Sequence, residues 1–165
     1  MRTALVAISL SVCFVVTGCG KSSEHTYATK DGNVTVSNSG DVQHMTMHST
    51  DGTATMDVNS NGGVQATMPD FAPLYPGATV TSSLVGHNTN GTTGAQVMFA
   101  VSAPPSDVIA FYKQKSAAAG LVQAVDATMN DTMMYEAAKD KKTILVSATK
   151  GTKGTQVSVT WGSDK

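Results

Sequence analysis

The sequence predicts an α+β fold: an N-terminal antiparallel β-meander, then a β-β-α-β-β-β-β domain with one helix packed on an antiparallel sheet. Three observations carry that expectation. Between Asp31 and Gly63 turn signals recur at intervals of about ten residues, with apolar residues alternating between them. One later segment, Pro104 to Gly120, spaces its apolar residues as a helix does. Four more alternating segments follow it, separated by short polar turns.

The meander is expected over residues 27–68. Asp31-Gly32, Gly40-Asp41, Asp51-Gly52 and Asn61-Gly62-Gly63 tolerate the positive φ of tight hairpin turns. Between them lie Val34 and Val36, then Met45 and Met47, then Ala54, Met56 and Val58, then Val64, Ala66 and Met68. Period two with polar partners gives three to four short strands with one buried face. The region is rich in Thr, Ser, Asn and Gly and poor in large hydrophobes, so a disordered stalk stays open as the alternative.

Residues 69–78 read as a connector. Pro69, Pro73 and Pro76 disfavour regular structure, and Tyr75-Pro76-Gly77-Ala78 fits a type II turn. Phe71, Leu74 and Tyr75 give this stretch the means to dock on a core. Residues 79–165 follow as the α+β domain. Thr79–Val85 and Ala95–Ser102 read as strands. Pro104-Pro105 opens the helix, with Asp107 near its positive end. Val108, Ile109, Phe111, Tyr112 and Ala119 fall on one helix face, and Gly120 stops it. Leu121–Ala127, Met133–Ala138, Thr143–Thr149 and Gln156–Trp161 then form a second meander.

The first residues are an expected leader. Met1-Arg2 precedes an apolar run, Ala4 to Val16, too short to span a bilayer as a helix. It ends in Val16-Thr17-Gly18-Cys19, which resembles the bacterial lipobox. The resemblance implies a lipoprotein: signal peptide 1–18 is removed, and Cys19 becomes the new N-terminus. That cysteine then carries a diacylglycerol thioether and a further acyl chain such as palmitate, and residues 19–26 form a tether. Two or three chains anchor stably, each buried methylene contributing about 0.8 kcal/mol. An ordinary secretory signal is the alternative. Gly20-Lys21-Ser22-Ser23 has no aspartate after the cysteine. In a host with two membranes this implies sorting to the outer membrane, facing the periplasm.

Processing would remove Cys13 and Arg2. The remaining chain then has no second thiol for a disulfide or a Cys-based metal site. Its charge is 10 Lys minus 12 Asp and Glu, or −2. Without arginine it lacks the planar fork used to read phosphate and guanine, so nucleic acid is a poor partner.

The run Pro69-x-Phe71-x-Pro73-x-Tyr75-Pro76-Gly77-Ala78, then a strand pair, then Ser102-x-Pro104-x-x-Asp107-Val108-Ile109-x-Phe111-Tyr112 and Gly120, resembles an uncharacterised family of small secreted or lipid-anchored bacterial envelope domains. The likeness covers about residues 69–125. Its motifs are a turn, a helix start and a core stripe, so it implies a fold and no catalytic residues.

Each candidate chemistry has a structural alternative. His44-Met45-Thr46-Met47-His48 offers copper ligands. In a strand Met45 and Met47 stand about 6.6 Å apart on one face, with His44 and His48 about 13 Å apart on the other. Thioethers filling a thin core is the alternative. Met129, Met133 and Met134 form a second methionine cluster. His25 and His87 lie near no nucleophile elbow, and Gly86 to Gly94 lacks the ending of a phosphate loop. Lys141 and Lys142, with Lys150 and Lys153, make basic hairpin tips that suit anionic headgroups or peptidoglycan carboxylates.

The sequence thus predicts a lipid-anchored, non-enzymatic structural or interaction module of the cell envelope, with no cofactor beyond the lipid on Cys19. Its expected partners are the membrane and an envelope protein or peptidoglycan, with Phe71, Leu74, Tyr75, Lys141 and Lys142 as contact residues. The alternative is a periplasmic metal-binding lipoprotein using Met45, Met47, His44 and His48.

Overall fold

The computed structural model describes residues 24–49, 52–60, 68–89 and 93–163. The leader, Cys19, Val64 and Ala66 lie outside the described residues. Six strands come first: β1 (Glu24–Thr29), β2 (Gly32–Ser39), β3 (Val42–Ser49), β4 (Gly52–Asn59), β5 (Thr79–Asn88) and β6 (Thr93–Val101). Then come α1 (Pro105–Ala118), β7 (Val122–Met129), β8 (Thr132–Lys139), β9 (Lys142–Gly151) and β10 (Gly154–Ser163).

All ten strands belong to one antiparallel sheet, ordered β1-β2-β3-β4-β5-β6-β10-β9-β8-β7. Strand accounts for 66% and helix for 11% of the described residues. The expected α+β class is therefore corrected: the molecule is mostly β, and its N-terminal meander is no separate unit. The join between β4 and β5 explains the difference. Met56 pairs with Gly86 and Asp57 with Val85, so the meander continues the sheet of the second half. Strand β1 also begins at Glu24, inside the stretch expected to be a tether.

The chain leaves β6, crosses in α1 to the far edge, and returns through β7, β8 and β9 to set β10 against β6. Pro104 is extended at the helix N-cap and Asp107 sits in the first turn. At the other end Gly120 has φ +79°. Its amide donates to the Ala117 carbonyl (2.9 Å), and the Leu121 amide donates to the Ser116 carbonyl (2.9 Å). This pair of bonds closes the helix as a Schellman motif. A second glycine is dictated by close approach: at Gly154, φ +132°, a Cβ would stand 2.4 Å from the Val101 carbonyl oxygen.

The helix packs over β7, β8 and β9, and the core lies between it and the sheet. Phe99, Val97, Ile144, Val146 and Val159 point from the sheet, and Val108, Ile109 and Tyr112 from the helix, each at most 1% exposed. Ala119, expected on the buried helix face, is exposed, and Ser116 takes a buried place instead. Its hydroxyl donates to the Tyr112 carbonyl (2.7 Å) and lies 2.6 Å from the Tyr135 hydroxyl. A polar group at the centre is tolerated because it is fully bonded.

Candidate functional site

The connector determines how the helix end is framed. The Ala78 amide donates to the Tyr75 carbonyl (3.1 Å), and Gly77 has φ +75°, as a type II turn requires. Tyr75 meets Phe111 edge-on with ring centroids 5.0 Å apart. The Tyr112 hydroxyl donates to the Pro73 carbonyl (2.9 Å). Burial pushes that phenol well above its ordinary range, because the charged form would lose its water. Phe71 is buried, and Leu74 and Tyr75 are half-buried against the core. These three expected contact residues therefore serve first to fasten the connector to α1.

Beyond Phe71 the connector, the end of α1 and the ends of β9 and β10 enclose a cleft of about 760 Å³, lined by Met68, Asp70, Phe71, Lys115, Ala118 and Lys142 among others. A second hollow of about 380 Å³ shares Ala119, Lys142 and Ser163 with it and adds Leu121, Lys139, Asp140 and Lys141. Four lysines and two aspartates give the pair of hollows a formal charge of 4 − 2 = +2, on a chain whose net charge is −1. Lys139 and Lys142 stand directly opposite each other across the β8–β9 hairpin. Like charges so placed are unfavourable. Neither is ion-paired among the described residues. The Lys142 ammonium lies 6.0 Å over the Phe71 ring instead.

Of the expected contacts, Phe71, Lys141 and Lys142 line these two hollows, while Tyr75 meets Phe111 of the helix and Leu74 packs on the core. Lys115 and Lys139 escaped the sequence reading. Lys115 carried a signal, a cation in the last turn of a helix. Lys139 carried another, since a two-residue Asp140-Lys141 turn forces it opposite Lys142.

The His–Met segment is divided by the sheet. Met45 pairs with Met56 and Met47 with Ala54 on the side away from the helix. On the helix side, His44 Nδ1 lies 2.5 Å from Asp57 Oδ1, and His48 Nδ1 lies 2.8 Å from Thr53 Oγ1. The four residues therefore do not gather round one point. Among the described residues no three His, Cys, Asp or Glu side chains form a metal-holding group. The second methionine cluster is divided in the same way. Met133 packs on the core, while Met134 and the exposed Met129 register on the helix-free side.

Ser37, His44 and Asp57 occupy one row across β2, β3 and β4, yet no hydrogen bond joins Ser37 to His44. In-sheet amides are spent on the ladder, which leaves no pair to hold an oxyanion. His25 registers with Val36 on the opposite side of the sheet, and His87 registers with Thr55 in another row.

A third hollow, shallow and about 430 Å³, lies near the middle of the sheet, where Gly86 faces Gly94. Met47, Met56 and Leu84 wall one side and Gln96 and Thr160 the other. No helix of the described residues is long and apolar enough to cross a membrane.

Residues 79–164, which hold β5, β6, α1 and β7 to β10, match a protein-family model described as START domain-like. No curated protein and no solved structure matches the chain. Strands β1 to β4 lie outside the matched residues, which span just over half of the 165. By that match the chain belongs to the START domain-like family.

Proposed function

We propose that this protein is a membrane-tethered binding module whose START domain-like part takes an anionic, partly apolar ligand at the lysine cleft. Domains of this family are typically binding domains. The observation that carries the reading is the opposed pair Lys139 and Lys142, without an ion-pair partner among the described residues, where two adjoining hollows share Lys142; Leu121 lines the one and Phe71 and Met68 the other. An anion between the two ammonium groups relieves their repulsion, and the apolar lining takes an attached chain or ring. Space under the helix itself is filled by Tyr112, Phe99 and Ile109, so the open end of the grip is where a ligand fits. A lipid headgroup phosphate and a peptidoglycan carboxylate both supply the required charge.

The sequence of the leader supports the tether. Cys19 stands five residues before Glu24, and β1 is the edge strand furthest from β7. With neighbouring strands about 4.8 Å apart, β1 to β4 hold β5 about 19 Å from that edge. The N-terminal strands are then a stiff spacer between the lipid and the binding domain. Labelled palmitate should enter the wild-type chain and not Cys19→Ala; label retained in the variant removes the anchor.

Binding is tested by titrating the protein with anionic vesicles, with zwitterionic vesicles and with soluble muropeptides. Affinity for one of the anionic probes should fall about tenfold in Lys139→Ala/Lys142→Ala, which is about 1.4 kcal/mol. It should also weaken with salt. Vesicles or muropeptides responding alone identifies the source of the anion. Binding that ignores both substitutions, or no binding to either probe, sinks the proposal.

A further inference from the structure

The six large hydrophobic side chains left exposed among the described residues are Tyr27, Met98, Val122, Val125, Met129 and Leu145. By strand register every one of them lies on the helix-free side of the sheet. Charge is distributed the opposite way. Of the Asp, Glu and Lys residues in the strands, only Glu136 registers on that side, opposite Leu145 and Val125. Strands β2 to β4 make the segregation sharpest. Their Val and Met residues face away from the helix, Val42 at the start of β3 excepted, and their Thr, His and Asp residues face the helix side. The pairing of Asp57 with Val85 fixes this choice, since a one-residue slip would reverse it. The six exposed side chains lie on β1, β6, β7 and β9; on β2 to β5 the same side carries Val34, Val36, Met45, Met47, Met56 and Leu84, all half-buried, and no described element packs over it.

We propose that the helix-free face of β2 to β5 is the contact between two copies of this chain, packed sheet against sheet. Size, charge and shape together favour a second copy. Four strands about 4.8 Å apart and eight residues long at about 3.3 Å each present roughly 500 Å². Two such faces in contact bury roughly 1,000 Å², about the least that a specific dimer needs. A face with one carboxylate and no lysine in its strands has nothing to draw it to an anionic bilayer surface, and nothing to repel its own copy. The same face also carries both halves of a fit. Val34, Val36 and Met45 lie on the strands beyond Met47 and Met56, which wall the hollow where Gly86 faces Gly94. A two-fold axis through this face would set these side chains of each copy against the hollow of the other, as an isologous contact requires. Flexible thioethers suit such a seam.

The contact is tested in cells with the full chain, carrying the photo-crosslinking residue benzoylphenylalanine at position 45 or at position 46. These neighbours point to opposite sides of β3. Position 45 should give a species of twice the mass, and position 46 should give at least tenfold less. Met56→Lys, a half-exposed site, should lower the yield from position 45 about tenfold while Thr55→Lys leaves it unchanged. Equal yields from both positions, adducts with lipid alone, or no adduct from position 45 each overturn the proposal. Because the lysine cleft lies on the other side of the sheet, failure here leaves the ligand reading standing, and the converse holds.

Discussion

Strands β1 to β4 and strands β8 to β10 use similar residues, alternating Val, Met or Ala with Thr and Ser, yet they are stabilised in different ways. In β8 to β10 the apolar set meets a second layer: Ile144, Val146, Ala148 and Val159 are wholly buried beneath α1 and the connector. In β1 to β4 no apolar side chain is buried, and the single buried residue is Asn59. There the ladder and its cross-strand pairs do the holding. Met45 lies against Met56, Thr26 shares a hydrogen bond with Thr35 (2.9 Å), and His44 meets Asp57. Each such pair contributes about 0.2–1 kcal/mol, whereas a fully buried Ile or Val contributes about 1.5–3 kcal/mol. Alternation therefore makes a strand, and only a covering layer makes a core.

The strongest way to break this comparison is to delete the same amount of apolar side chain from each region. Ile144→Ala should cost about 2–5 kcal/mol, the range for truncating a buried aliphatic side chain. Met45→Ala should cost under about 1 kcal/mol at protein concentrations low enough to keep the chain monomeric, because that side chain is only partly buried and no second layer covers it. Urea unfolding monitored by Trp161 fluorescence measures the first, and far-UV circular dichroism follows the meander. Equal costs would mean that β1 to β4 has a cover of its own. A Met45→Ala cost that grows with protein concentration would mean that the cover is a second copy.

What the sequence disclosed divides along the same line. Signals that act within a few residues were legible: Pro104-Pro105 and Gly120 bound the helix, and Asn130 and Asp140, both at φ 53°, mark their turns. Parity alone separated His44 and His48 from Met45 and Met47. The pairing of β4 with β5 was not legible, because it spans the connector and the partners carry no mark of each other. Without that pairing the meander looked like a separate unit, and the side on which its Val and Met residues lie was undetermined. The lysine cleft was only partly legible for a similar reason. It draws residues from positions 68–71, 115–121, 139–142 and 163, and no local pattern links them.

A smaller effect sharpens the comparison at the point where the second layer is fastened. The Tyr112 hydroxyl is the hydrogen bond that ties α1 to the connector at Pro73. Tyr112→Phe should cost about 0.5–1.5 kcal/mol at neutral pH. The pH dependence gives the loss a signature. Burial raises the folded-state value of this phenol above its ordinary value of about 10. Its contribution is fully present below about pH 10. It is lost as pH rises further, since the unfolded chain then releases a proton that the folded one keeps. Wild-type stability should therefore fall above pH 10 more steeply than that of Tyr112→Phe, with the two curves converging in alkali. Parallel curves in urea titrations from pH 8 to 11 would show that the hydroxyl is not what holds the connector down. The packing of Phe71, Leu74 and Tyr75 would then have to carry that duty.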